Sequence, residues 1–292
     1  MTEIVIISGK GGTGKTSVTA ALAFLSEKPL VVADCDVDAA DMHILLHPDF
    51  LSQEDFFSGS FASIDSGKCI ACNLCAQVCR FNAINIVNGE YMVRKIDCEG
   101  CGYCSRVCPE NAIEMIPNHT GLLFCSNTRL DNILVHAELT IGAENSGKLV
   151  SRVRQKAKAV AEKSQINNIL VDGSPGIGCP VIASITGADL VVVVTEPTVS
   201  GLHDLERVIQ LASSMGINTS CIINKWDLNV EKTNEIEKFL KEKEISLLGK
   251  LPYHKAFNLA LNKKLTVGEI KEGKEISEVL KEIWNKINLK TK

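Results

Sequence analysis

Short apolar runs alternate along this chain with amphipathic stretches, the pattern of a buried parallel sheet covered by helices. Ile4-Val5-Ile6-Ile7 reads as a first buried strand, and a helical stretch follows from Thr16 to about Leu25. Leu30-Val31-Val32-Ala33, Ile169-Leu170-Val171 and Leu190-Val191-Val192-Val193-Val194 repeat the strand signature. A helix over about 201–215 leads to a further strand, Ser220-Cys221-Ile222-Ile223, and Gly121–Cys125 and Ile133–Leu139 also read as strands. Ser146-Gly147-Lys148 opens a helix running to about Lys163, with Val150, Val153, Ala157 and Val160 at helical spacing; its basic residues Lys148, Arg152, Arg154, Lys156 and Lys158 read as a solvated face. Ile276, Val279, Leu280, Ile283, Trp284 and Ile287 share one face of a C-terminal helix, which reads as docked on the sheet and not as a membrane-surface helix. The fold class predicted is α/β, a doubly wound and mostly parallel sheet.

Between the first strand and its helix lies Ser8-Gly9-Lys10-Gly11-Gly12-Thr13-Gly14-Lys15-Thr16, a G-x-x-x-x-G-K-T phosphate loop in its strand–loop–helix context. Glycines let backbone N–H groups turn toward an anion, and the helix N-terminus adds partial positive charge. Lys15 is expected to reach the β- and γ-phosphates, and the Thr16 hydroxyl to ligate Mg²⁺, with Ser17 beside it. Two other strands end in acids. Leu30–Ala33 runs into Asp34-Cys35-Asp36-Val37-Asp38, with Asp41 beyond, and Ile169–Val171 runs into Asp172-Gly173-Ser174-Pro175-Gly176. Asp172 is expected to hold a Mg²⁺-bound water and the Gly176 N–H to meet a γ-phosphate. Ser220–Ile223 delivers Asn224-Lys225-Trp226-Asp227, an N-K-x-D motif that in GTPases reads guanine.

The cysteines add a second chemistry. Of twelve, eight lie between Cys69 and Cys108. Cys69, Cys72, Cys75 and Cys79 have the spacing C-x2-C-x2-C-x3-C, and Cys98, Cys101, Cys104 and Cys108 repeat it 29 residues later, together with Asn82-Ala83-Ile84 and Asn111-Ala112-Ile113. Such a duplication reads as a two-cluster bacterial-type ferredoxin, in which the fourth cysteine of each run crosses to the other [4Fe–4S] cluster. Cys69, Cys72, Cys75 and Cys108 form one ligand set on this reading; Cys98, Cys101, Cys104 and Cys79 form the other. Zinc is the rival, although its structural sites favour separated cysteine pairs. Cys108 precedes Pro109, as in ferredoxins, whereas Cys79 precedes Arg80, a cation able to raise a cluster's potential.

Lys10, in Gly9-Lys10-Gly11-Gly12, resembles the deviant phosphate loop of the MinD/ParA/Mrp group of P-loop ATPases, and D-x-x-P-G-x-G from Asp172 resembles that group's switch II. The whole chain resembles members with an inserted ferredoxin domain. The resemblance implies domains 1–60 and 119–292 of one ATPase and an inserted small α+β ferredoxin over 61–118. It also implies that Lys10 crosses to the partner's phosphates in an ATP-bound homodimer or paralogue heterodimer; the plainer alternative is a cation that helps hold phosphate locally. Asp36 would orient the attacking water and touch the Mg²⁺ shell, and Asp34 would support it. Asn224 would contact adenine, with Pro252 flanking the base; ATP is favoured over GTP, and the part of Asp227 stays open. In the related nitrogenase iron protein a switch II cysteine ligates a bridging cluster, so Cys179 is either an interface redox or metal contact, with Cys125 the one candidate second ligand, or a small buried residue, which is favoured. Cys35 and Cys221 read as structural.

Composition adds limits. The chain has 292 residues, room for one large domain and a small module, and its net charge of −4 gives no bulk attraction to nucleic acid or anionic lipid. No run of eighteen apolar residues and no signal peptide is seen, so a cytoplasmic protein is expected, in which many cysteines point to metal and not to disulfides. The function implied is ATP hydrolysis that gates electron transfer through two clusters to a redox partner protein. The alternatives are a metal-cluster carrier of Mrp type and a MinD- or ParA-like positioning ATPase.

Overall fold

A computed structural model describes residues 1–140 and 147–291. Ser146, placed by sequence at a helix start, lies outside the described residues. The chain divides into two compact units; among the described residues one comprises 1–54, 123–138 and 147–291, and the other 55–122 with 139–140.

The first unit is built on parallel strands. In chain order these are β1 (Thr2–Ser8), β2 (Val31–Asp34), β7 (Ile133–Leu139), β8 (Asn168–Pro175), β9 (Leu190–Thr195), β10 (Thr219–Asn224) and β11 (Ser246–Leu251). They lie side by side as β11-β10-β9-β1-β8-β2-β7, every pair parallel. Beyond β7 come β6 (Ile113–Thr128) and β3 (Pro48–Ile64). Both run from one unit into the other, so residues 48–54 and 123–128 belong to the first. The strand over 48–64 is absent from the sequence reading, because its apolar residues, with Phe50-Leu51 and Phe56-Phe57 adjacent, do not alternate with its polar ones.

Alternate residues of the strands cover the two faces. Ile4, Ile6, Val32, Leu134, Leu170, Val192 and Ile222 enter one core, which also takes α1 (Lys15–Leu25) and α10 (Lys274–Lys290). Ile276, Leu280, Ile283, Trp284 and Ile287 are fully or nearly fully buried there, so the C-terminal helix is docked. The opposite face is covered by α5 (Lys148–Lys163), α6 (Cys179–Ile185) and α7 (Val199–Ser214). The sheet is thus doubly wound.

One expectation for α5 is corrected. Arg154 is not on a solvated face. It is buried, and its Nε and NH2 donate to Glu3 Oε1 (2.7 Å) and Oε2 (2.6 Å) while NH1 donates to the Ala183 and Thr186 carbonyls. Lys158 also pairs with Glu3 Oε2 at 2.9 Å, and Arg152 and Lys156 both pair with Glu54. A helical wheel cannot see this, because the partner lies far away in sequence on β1. The guanidinium therefore ties β1, α5 and α6 together with every contact charge-assisted.

The second unit repeats its own backbone. Its two short helices, α3 (Leu74–Val78) and α4 (Tyr103–Val107), start 29 residues apart. Left-handed residues recur at the same offset: Ala71 and Gly100, Asn73 and Gly102, Asn82 and Asn111. β4 (Ile84–Val87) pairs antiparallel with β5 (Glu90–Val93), and β6 begins at Ile113, the counterpart of Ile84. Gly100 is required on two counts, since φ is +64° and a Cβ would lie 2.1 Å from the Ser60 carbonyl oxygen.

Arg154→Met leaves Glu3 buried among apolar groups with only Lys158. It is expected to cost about 3–5 kcal/mol in denaturant unfolding, and Glu3→Gln in the same chain to recover a large part of that.

Candidate functional site

The parallel sheet brings its C-terminal strand ends to one edge, and the acids predicted from sequence meet there. Asp34 of β2 and Asp172 of β8 are register partners, and Ile6 of β1 pairs with Asp172 from the other side. Strand β1 then enters the phosphate loop, whose Gly12 and Gly14 have φ of +81° and +87°. Gly14 admits no side chain, because a Cβ would sit 2.4 Å from Asn224 Nδ2; at Gly9 it would sit 2.4 Å from Asp204 Cβ. At Gly11 and Gly12 nothing lies within 4 Å of that position. Thr13 is buried and its Oγ1 has no hydrogen-bond partner, an orphaned polar atom inside the loop.

Lys15 is the centre of the constellation. Its Nζ lies 2.9 Å from Asp172 Oδ1 and 3.3 Å from Asp36 Oδ2, with only 5% of the side chain exposed. Thr16 Oγ1 donates to Asp172 Oδ2 (2.7 Å), and Thr19 Oγ1, a contact not foreseen from sequence, donates to Asp172 Oδ1 (2.9 Å). Burial alone would lower the Lys15 pKa, but Asp172 and Asp36 outweigh it and hold the ammonium charged. Asp34 is fully buried and accepts from the Asp36 and Met42 N–H groups. Burial, followed by the nearby Asp172 carboxylate, pushes its pKa well above the usual carboxylate range; burial also raises Asp36. Even with a proton kept on Asp34, the Asp36 and Asp172 carboxylates outnumber the one ammonium and leave this edge net negative, a field that a divalent cation complements. Asp38 and Asp41 lie at the surface of the following loop.

The remaining predicted residues fall around this centre with particular partners. The Gly176 N–H donates to the Ser8 carbonyl at 2.8 Å, so contact with a phosphate requires exchange of that bond. Asn224 Nδ2 donates to the Thr13 carbonyl (2.7 Å), which ties the N-K-x-D segment to the phosphate loop. Asp227 Oδ1 accepts from the Tyr253 N–H (2.6 Å), next to Pro252. Ser17 is half-buried beside Leu45 and Phe257. Lys10 Nζ meets Glu196 Oε1 at 2.8 Å. Glu196 escaped the sequence reading, since Thr195-Glu196-Pro197-Thr198 carries no motif signal beyond its place at a strand end. Cys179 is exposed at the start of α6, which corrects its favoured reading as a small buried residue, while Cys125 is buried near Lys156 and Glu54, and Cys35 and Cys221 are fully buried with thiol pKa values pushed up by burial.

The second unit holds two open pockets. Cys79, Cys98, Cys101 and Cys104 line one of about 370 Å³; Cys69, Cys72, Cys75 and Cys108 line the other, of about 360 Å³. Each pocket therefore takes three cysteines from one run and the fourth from the other. Backbone N–H groups of Ala83 and Ala112 point at Cys79 Sγ and Cys108 Sγ (3.4 and 3.3 Å), a matched pair, and that of Ala62 points at Cys98 Sγ (3.5 Å). Among the described residues, no group of three or more His, Cys, Asp or Glu side chains is placed to hold a metal ion.

A parallel sheet with a phosphate loop after its first strand and acids after two neighbouring strands defines a P-loop nucleotide-binding protein. Sequence comparison agrees: the CobQ/CobB/MinD/ParA nucleotide binding domain matches residues 4–267. The chain belongs to that ATPase family. It is 36% identical over 229 residues to Uncharacterized protein MJ0578 of Methanocaldococcus jannaschii, covering 78% of this chain and 79% of that protein. To the septum site-determining protein MinD of Synechocystis it is 25% identical over 268 residues, covering 89% and 79%. Among solved structures, MinD of Pyrococcus horikoshii, complexed with Mg-ADP, shares the fold with a TM-score of 0.57 and 17% identity over 98% of this chain and 96% of that one. No helix among the described residues is long and apolar enough to cross a membrane.

Because the Asp34 carboxyl binds its proton more tightly in the folded than in the unfolded chain, it supports stability at low pH that is lost as pH climbs above the ordinary carboxylate range. Asp34→Asn has no such proton. In magnesium-free buffer the stability of Asp34→Asn relative to the parent is expected to improve between pH 5 and pH 8, by up to about 1.4 kcal/mol per pH unit. A difference independent of pH would show that Asp34 is ionised throughout.

Proposed function

We propose that this chain is an ATP-binding and hydrolysing iron–sulfur protein in which nucleotide state gates electron transfer through two [4Fe–4S] clusters to a partner protein. The observation that carries this reading is the sorting of the eight cysteines into two four-thiol pockets, each completed by the crossing cysteine. A cubane carries its irons at separate corners, so its thiolates stand around a hollow and not around a point. The apolar core of the second unit points the same way. Its buried cluster is Ala62, Cys75, Ile84 and Ile113, with Cys79, Cys98, Cys104 and Cys108 packed against it. So small a core gains stability from a metal centre that its own walls ligate.

In the first unit, Lys15 would exchange Asp172 and Asp36 for phosphate oxygens, and Thr16 and Asp172 would hold Mg²⁺, which neutralises charge on the phosphates. Asp36 would orient a water for in-line attack on the γ-phosphorus as the bond to the leaving β-phosphate oxygen breaks. Its proton affinity, raised by burial, suits a group that accepts that water's proton. The likeness to MinD, one relative of which is complexed with Mg-ADP, favours ATP over GTP, and Asp227 engages the Tyr253 N–H with one oxygen. A second copy or a paralogue completes the nucleotide site through Lys10, and the redox partner is a separate protein. The kinship with MinD keeps one competitor in view, a positioning ATPase whose cysteine unit is only a docking domain.

Anaerobically purified protein is expected to carry about eight iron atoms per chain and two reducible centres by EPR, with at least one potential moving between ADP and ATP. Potentials that ignore nucleotide would remove tuning from the mechanism, and iron far below that level would remove the clusters. Arg80→Pro, which makes the corner after Cys79 match that after Cys108, is expected to lower the potential of one centre by tens of millivolts, on the order of a tenfold change in electron partition.

A further inference from the structure

We infer that Glu196 is a positioning residue for Lys10, holding it within its own chain through the juxtaposition of Lys10, Glu196, Thr198 and Ser200 and so setting how readily ATP draws two copies together. The inference rests on the reading that Lys10 serves a partner's nucleotide. An ammonium has three N–H donors. Lys10 Nζ has three acceptors in its own chain: Glu196 Oε1 at 2.8 Å, Ser200 Oγ at 2.8 Å and Thr198 Oγ1 at 3.1 Å. None is left over. Reaching another chain therefore requires that all three contacts be broken.

The holder is itself fixed. Glu196 Oε2 pairs with Lys225 Nζ at 2.9 Å, and the same Nζ donates to the Gly12 carbonyl at 3.0 Å. One carboxylate thus links the end of β9 to both the phosphate loop and the N-K-x-D segment. The turn carrying it has little room to give. Thr198 Oγ1 accepts from the Gly201 N–H at 2.9 Å and caps α7, and a Cβ at Gly201 would lie 2.2 Å from the Glu196 carbonyl oxygen. Burial would raise the Glu196 pKa, but the two ammoniums outweigh it and keep the carboxylate charged. At 30% and 16% exposure, the Lys10–Glu196 pair is accessible to an incoming polyphosphate that competes for the ammonium. Phosphate charge pulling on Lys10 and Lys225 together would release Glu196 from both.

The test uses the full-length protein, with Mg²⁺ and a non-hydrolysable ATP analogue, in sedimentation across a range of protein concentrations. Glu196→Gln keeps the side chain's shape and removes its charge. It is expected to pair at about tenfold lower concentration than the parent, since each dimer releases two such contacts. Ser200→Ala, which removes one acceptor outside the predicted nucleotide residues, is expected to shift pairing in the same direction by about two- to threefold, and it carries the test if Glu196→Gln fails to fold. Parent protein that pairs with ATP while both variants pair at the same or higher concentration overturns the inference and leaves the dimer reading standing. Absence of pairing in the parent and in both variants overturns the dimer reading, and the inference with it. A purely structural part for Glu196 would weaken pairing together with thermal stability, the opposite of the gain expected.

Discussion

The first unit depends on one buried charge arrangement. The register of the parallel sheet sets Asp34 beside Asp172, and the chain leaving β2 adds Asp36 to the same edge. Left alone, three carboxylates in so dry a place would repel one another. Lys15 makes the arrangement tenable by pairing with Asp172 and Asp36, while Thr16 and Thr19 donate to the remaining acceptor sites of Asp172. These contacts fix the start of α1 against β8. The helix that should present its N-terminus to phosphate is thus positioned by the acids that would serve the metal. Position and chemistry share one set of contacts.

The phosphate loop was legible in the sequence because its constraint is local. Left-handed φ at Gly12 and Gly14 is written in the residues themselves. The cysteine runs were legible because a duplication repeats geometry along with letters. The left-handed positions Asn82 and Asn111 stand at the same offset as the cysteines before them. Arg154 was misread for the opposite reason. Its partner is 151 residues away, and no periodicity on α5 can distinguish a guanidinium facing water from one facing Glu3. Glu196 went unseen on the same grounds, since its importance comes from two lysines brought to it by β1 and β10.

The strand over 48–64 marks a different limit. Burial along it is mostly partial or slight, with Ala62 its one buried residue, so hydrophobicity does not announce it. What makes it a strand is pairing within the sheet, a non-local cause that strand propensity measures poorly. Sequence therefore places the insertion by its cysteines, at about residue 61, whereas the compact unit starts at Asp55, inside that strand.

The asymmetry between the two cysteine pockets bears on their chemistry. By the repeat, Arg80-Phe81 corresponds to Pro109-Glu110, so equivalent corners carry opposite charge. Glu110 lines the pocket of Cys69, Cys72, Cys75 and Cys108, and Phe81 the pocket of Cys79, Cys98, Cys101 and Cys104. The Ala62 N–H aimed at Cys98 adds a donor to the second pocket. Glu99 lines that same pocket where the repeat has Ile70, so each pocket is lined by one glutamate and the asymmetry lies in Arg80 and the Ala62 N–H. Positive charge and N–H donors both favour the more reduced, more negative form of a centre. On the proposed reading, the centre completed by Cys79 would therefore sit at the higher potential, and the two halves of the repeat would give electrons a direction.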